Sequence, residues 1–266
     1  MIKFSKFVLL TLVLCSFSVT PDYDTFCGIK NTAFKDGEQV TMKVYYSTLG
    51  MYIGAGEATF TTTLERFNGK PVYHCVGEGK SYSFFDNFFK VRDRYESYID
   101  TGNLLPYKFV RNVDEGGYKK YNNVTFNQGA GTAVSTNGVF KVPNCIQDVV
   151  SGVYYARNID FNKYKVDDKI PFDMFLDDEV FHMYIRYMGK EKIKTRYGKF
   201  NAIKFKPLLL KGTIFEGGEK MTAWVSDDPN HLLLRVESPI AVGSVKVDMQ
   251  TYKNLRYPLT SLISVR

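Results

Sequence analysis

The sequence is poor in the residues that carry most protein chemistry. It has three histidines, four cysteines and one tryptophan in 266 residues. His74, His182 and His231 lie far apart in the chain, and no His-x-x-x-His, Cys-x-x-Cys or mixed Cys/His spacing suits zinc. There is no Gly-x-Ser-x-Gly elbow and no glycine-rich phosphate loop, which disfavours a serine hydrolase or a nucleotide enzyme. Basic residues outnumber acidic ones, 35 to 28, but they are scattered. A nucleic-acid binder gathers them into a patch or stripe. Past the first twenty residues no apolar run exceeds strand length, and no Gly/Ser linker or charge block divides the chain. These absences leave no catalytic residue, no metal ligand, no cofactor, no nucleic-acid partner and no transmembrane segment in the mature chain to assign.

The start of the chain is different in kind. Lys3 and Lys6 precede an apolar stretch, residues 7–19, interrupted by Thr11, Cys15, Ser16 and Ser18. A bilayer core needs about 20 apolar residues, so the stretch is short for a span. A basic start, a short apolar run and small residues after it read as a secretory signal peptide over residues 1–18. Residues 19–266 then form one domain of an exported protein, in the periplasm or cell envelope. Cys15 offers a lipid-anchored alternative, disfavoured because Leu14 stands where a small residue is wanted. The net charge of +7 becomes +5 without Lys3 and Lys6, enough for weak attraction to anionic surfaces.

What the sequence has in plenty is aromatic side chains, 19 Tyr and 21 Phe, and strict alternation. Val40, Met42, Val44 and Tyr46 fall on one face of a strand, and Thr41, Lys43, Tyr45 and Ser47 on the other. Asn68-Gly69 is a strong hairpin signal. Similar strand-turn-strand units follow, with Gly189-Lys190 among the predicted turns. The period changes once. From residue 144 to 158 apolar groups at Ile146, Val149, Val150, Val153 and Tyr154, with the Arg157 stem, predict a helix with Asn144 as its cap and Asp148 in its first turns. The fold class is therefore all-β: a single strongly curved antiparallel sheet, a half-barrel or open barrel of many hairpins, with one main helix on its concave side. Three cysteines follow the signal segment. One bridge at most can form, and we assign it to Cys27 and Cys145, leaving Cys75 as a buried thiol.

Several stretches between Ala33 and Tyr252 together resemble an envelope family catalogued as domain-of-unknown-function family 3108. They are Phe34-x-x-Gly37-Glu38, Arg92-x-Arg94-Tyr95-Glu96-Ser97-Tyr98-Ile99-Asp100 and Leu105-Pro106-x-x-Phe109. Further on come Gln147-Asp148-x-x-Ser151 with Tyr154-Tyr155-Ala156-Arg157, then Gly189-x-Glu191, Gly198, and Trp224-x-Ser226-Asp227-Asp228 running into Arg235-Val236-Glu237. Over residues 220–252 the closing hairpin is similar to that of periplasmic lipoprotein-carrier half-barrels. That resemblance implies a curved sheet around an apolar hollow. The family has no agreed activity.

Candidate binding residues follow from this architecture. Phe84, Phe85, Phe88 and Phe89 lie between two strands, either as a small core under a loop or as a flap over a cavity mouth. Tyr154, Tyr155 and Trp224 are aromatic groups near the expected hollow. Arg92, Asp93 and Arg157 are the charged candidates, and Asp93 with Arg157 is expected to lock helix to sheet or to hold a headgroup. The doublets Asp167-Asp168, Asp177-Asp178 and Asp227-Asp228 suit turns, with glycan hydrolysis or calcium as the chemical alternatives. The expected partners are a lipid-like or other apolar ligand, or envelope proteins if the sheet is packed solid and acts as a scaffold.

Overall fold

The computed structural model describes residues 27–48, 51–210, 217–240 and 242–265. The signal segment and Cys15 lie outside the described residues. One 15-stranded antiparallel sheet dominates. Its first arm is a meander: β1 (Gln39–Thr48), β2 (Met51–Phe67), β3 (Lys70–Ser81), β4 (Val91–Asp100), β5 (Pro106–Glu115), β6 (Tyr118–Asn127), β7 (Thr132–Ser135) and β8 (Gly138–Lys141). The second arm is β9 (Lys169–Leu176), β10 (Glu179–Lys194), β11 (Gly198–Pro207), β12 (Thr222–Ser226), β13 (Leu233–Pro239) and β14 (Ser244–Lys253). Pairing of β14 with β1 joins the arms, so the order runs from β8 through β1 and β14 to β9. A last strand, β15 (Leu262–Val265), pairs with the start of β11. Among the described residues two α-helices interrupt the strands, the one-turn α1 (Ser83–Asp86) and α2 (Val149–Ala156), with short 3-10 turns at Gln128–Ala130 and Phe161–Lys163.

The sheet curls around α2. The helix touches β3 and β4 on one flank and β9 on the other. The two ends of the sheet meet without a shared ladder. The Phe175 ring lies 5.7 Å from Phe140 and 6.1 Å from Phe126, and Asp177 and Asp178 accept hydrogen bonds from Arg111 and Asn137. This is an open barrel with a seam closed by side chains. The free edge of β9 is protected in the usual way, by covering: Gln147 donates its N–H to Asp173 O and accepts from Phe175 N–H.

Local chemistry explains most boundaries. Asn68 and Gly69 both have positive φ, 50° and 80°, which a two-residue hairpin turn requires. The helix differs from expectation. Asn144 does not cap it; Asp148 does, accepting from Val150 and Ser151 N–H at 2.8 Å, while Ser151 Oγ accepts from Asp148 N–H. Residues 144–147 cannot be helical because Cys145 is bonded to Cys27 with φ of 61° and Gln147 is committed to β9. The buried face is consequently Val150, Ser151, Tyr154 and Tyr155, and Val153 is 49% exposed. Gly189 is not a turn either. β10 runs through it, and its φ of 90° sits where the register to β11 shifts, a bulge rather than a reversal.

Two apolar clusters hold the sheet. The larger gathers Phe34, Phe109, Tyr154, Tyr155, Phe175 and Ile185 around α2. The second joins Met42, Phe200, Trp224, Leu234 and Met249, with Leu255, Leu259 and Leu262 of the C-terminal segment packed on it. Cys75 is buried and free in the first cluster, and burial pushes its thiol far above the usual range.

Candidate functional site

The helix is a plug fixed by charge as well as by packing. Arg157, at its C-terminal end, forks onto Glu38 at 2.5 and 3.0 Å and donates twice to Asn230 O at 3.1 Å. Both side chains are buried. Burial works against the guanidinium charge, and Glu38 more than restores it. The same guanidinium lies 5.4 Å from the Phe34 ring and 5.7 Å from Tyr154, and Tyr154 Oη accepts from Thr62 Oγ1 at 3.0 Å. Arg157 therefore pairs with Glu38, ahead of β1, and not with Asp93. Asp93 is engaged elsewhere, accepting from Asp114 N–H at 3.2 Å and facing Glu115. Tyr154 and Tyr155, at 4% and 0% exposure, are part of this plug.

Beyond the plug the concave face is only partly filled. Direct cross-strand partners form an unbroken row: Gly56, Val44, Val247, Val236, Ala223, Phe205 and Tyr187. The row shares the face of the plug, since Tyr187 and Phe205 lie 5.8 and 6.2 Å from Phe161 of the main cluster. Yet Val44, Val247, Val236 and Phe205 are only half-buried, as are Ala58, Phe60 and Tyr46 nearby. On the neighbouring strand β3, Gly77 lies under the Phe60 ring, 3.1 Å from where its Cβ would be, and Gly79 is the cross-strand partner of Ala58. These residues form a continuous apolar strip on the plug's face of the sheet, away from α2, and we call this strip the trough.

The aromatic segment lies at the rim of this trough. Phe84 and Phe88 are 65% and 74% exposed. Phe85 lies 6.4 Å from Tyr46, whose strand neighbour Val44 belongs to the row. Phe89 packs on Gly116 across the rim, so closely that a Cβ there would fall 2.4 Å from the ring. The segment is therefore not a core under a loop. Arg92 ties it down, donating to Asp86 at 3.1 and 2.6 Å. Met51, Tyr52, Ile53, Tyr118 and Val242 are exposed on neighbouring hairpins of this rim.

Asp93 lies beneath the segment with Glu115. Burial first, and then the Glu115 charge, push Asp93 up to about 7. Burial likewise pushes the helix cap Asp148 up to about 6, against the hydrogen bonds that it accepts from Ser97 Oγ and two backbone N–H groups. Both values exceed those of an unfolded chain, so the folded state holds protons that the unfolded state has released. Stability therefore falls as pH rises from about 4 through 6 and 7. We expect Asp93→Asn to raise the melting temperature by roughly 2–4 °C at pH 8, the shift for about 1 kcal/mol in a chain of this size, and to raise it less at pH 5, where only the lower part of the window between the unfolded and folded values has been crossed. Thermal unfolding at the two pH values checks this, and an equal effect at both would contradict it.

The remaining candidates fall elsewhere. Trp224 belongs to the second cluster and donates from Nε1 to Glu191 at 2.6 Å, on the face opposite its neighbours Ala223 and Val225. The acidic doublets do turn chemistry: Asp167, Asp177 and Asp178 have positive φ, and Asp228 accepts from Ser226 and Asn230. Among the described residues no group of three His, Cys, Asp or Glu side chains could hold a metal ion, and no helix is long and apolar enough to cross a membrane. Sequence reasoning missed Glu38 as the partner of Arg157. Its signal was present, an acidic residue ahead of the first strand within a stretch already singled out.

The fold has solved relatives. A β-barrel-like protein of domain-of-unknown-function family DUF1849 from Brucella abortus superposes with a TM-score of 0.55 at 7% identity, over 84% of this chain and 99% of that one. A candidate exported protein with a YmcC-like fold from Bacteroides fragilis aligns at 11% identity and TM-score 0.35, over 85% and 99% of the two chains. A candidate lipoprotein from Parabacteroides distasonis aligns at 12% identity and TM-score 0.35, over 84% and 100%. No curated protein matches the chain. The model of the DUF3108 family, proteins of unknown function, matches residues 41–250, and the chain belongs to that family.

Proposed function

We propose that this protein is exported to the cell envelope and binds a lipid-like or other apolar ligand in the trough beyond α2. The observation that carries this reading is the row Val44, Val247, Val236 and Phe205, a continuous apolar strip left half-buried on the face that α2 covers elsewhere. An acyl chain laid along the row and burying about 200 Å² would gain about 5 kcal/mol without specific contacts. The exposed Phe84 and Phe88 at the rim provide an apolar entry. The Cys27–Cys145 bond fits an oxidising compartment, in line with the signal segment read from the sequence.

A second reading has its own observation. The exposed apolar rim also suits a protein partner, and the molecule would then be an envelope scaffold or assembly factor. Titration with a fluorescent sixteen-carbon fatty acid separates the two. The first reading expects saturable binding that Val247→Arg abolishes while melting stays within a few degrees of the parent. Binding that Val247→Arg leaves unchanged, or no saturable binding, moves the assignment to the scaffold.

A further inference from the structure

The strands that line the trough present a different chemistry on their other face. Tyr45 and Lys246 are cross-strand partners, as are Arg235 and Asp248, and they alternate with Val44, Val247 and Val236. The turn between β10 and β11 comes over this face with Lys194, Thr195 and Arg196, held by Arg235 Nη2 donating to Lys194 O at 3.0 Å. With Tyr52 at the rim these residues enclose an open cleft of about 220 Å³.

Charge in the cleft is one-sided. Lys194, Arg196, Arg235 and Lys246 line it, and Asp248 is the carboxylate among its lining residues. Asp248 is saturated by Arg235, which forks onto it at 2.6 and 3.0 Å and is only 12% exposed. Lys246 lies 3.2 Å from Glu237, just outside the cleft, and 5.2 Å from the Tyr52 ring. Among the described residues Lys194 and Arg196 form no ion pair with a carboxylate; Arg196 rests instead over Tyr45, 4.5 Å from the ring centroid, and Lys43 lies 5.6 Å from the same ring. Arg235 and Lys246 are balanced by Asp248 and Glu237, so Lys194 and Arg196 bring two charges without a carboxylate partner among the described residues to the same cleft, and a bound anion relieves the repulsion among the four cations. The aromatic faces hold the cations in place, and the Asp248 fork pre-sets Arg235, so little ordering remains to be done on binding. Arginine and lysine around a small open cleft are the donor set for a phosphate oxyanion.

We propose that this cleft binds a phosphate group, carried either on a small soluble molecule or on a lipid headgroup. The site is independent of the trough, which lies on the opposite face of the same strands.

The test uses the full mature chain, inorganic phosphate and glycerol phosphate as soluble probes, and phosphatidylcholine vesicles with and without phosphatidic acid. Chemical-shift titration reads the soluble probes and vesicle co-sedimentation the lipid. Lys194→Ala with Arg196→Ala is expected to weaken binding roughly tenfold or more, by loss of two charge-assisted contacts. Both side chains are exposed, so melting should not change, and the fluorescent fatty acid should bind the variant as it binds the parent. Saturable binding of the soluble probes that is lost in the variant supports the site and names a soluble ligand. Phosphatidic-acid-dependent sedimentation lost in the variant, without soluble binding, supports the site and names a headgroup. No binding in either arm, or binding unchanged in the variant, overturns the proposal.

Discussion

Glu38→Ala should lower stability by about 3–5 kcal/mol, the largest effect of any single substitution that we expect in this protein. The reason is the state it leaves behind. Arg157 would keep its charge inside the sheet with only the Asn230 carbonyl and two aromatic faces for company. Removing one partner of a buried pair is strongly destabilising because the other charge stays uncompensated. At roughly 2–4 °C per kcal/mol for a chain of this size, the melting temperature should fall by roughly 6–20 °C. The double variant Glu38→Met with Arg157→Met should recover most of that loss, since apolar residues of similar volume often replace a buried ion pair at little cost. Thermal and urea unfolding of the three proteins makes the comparison. A Glu38→Ala loss below about 1 kcal/mol would mean that water reaches the pair and that α2 is not locked in the way described.

The second large effect is the disulfide. Cys27→Ser with Cys145→Ser should cost about 2–5 kcal/mol, because the bond closes a long loop, its ends 118 residues apart, and restricts the unfolded chain. The native state should change little. Asn158 Oδ1 still accepts from the Thr32 and Ala33 N–H groups, and Arg256 still donates to Asn31 O, so the segment ahead of β1 keeps its seat on the helix. Parent protein in reductant should melt with the double-serine variant. A variant that melts with the oxidised parent would show that the bond adds nothing to stability.

Much of the architecture could be read in the sequence because it is written locally. Alternation in β1 and the Asn68-Gly69 turn each depend on residues a few positions apart, and so does the amphipathic run of α2, although its start did not. That start was set by two long-range commitments, the bond to Cys27 and the pairing of Gln147 with β9, which no local pattern contains. Gly189 shows the same limit. A glycine between alternating runs can turn a chain or bulge it, and the register with β11 decided the matter. The sites divide in the same way. The exposed aromatic segment was visible as four phenylalanines in six residues. The trough and the cationic cleft were not, because their residues come from strands on both sides of the β1–β14 junction and meet only when that pairing forms.

The central claim, a ligand held in the trough, is tested most directly by native mass spectrometry of the mature protein purified gently from its own envelope. The expected result is an added mass that organic extraction removes and that reappears as lipid in the extract. A clean apoprotein mass, unchanged after incubation with envelope lipids, would contradict it.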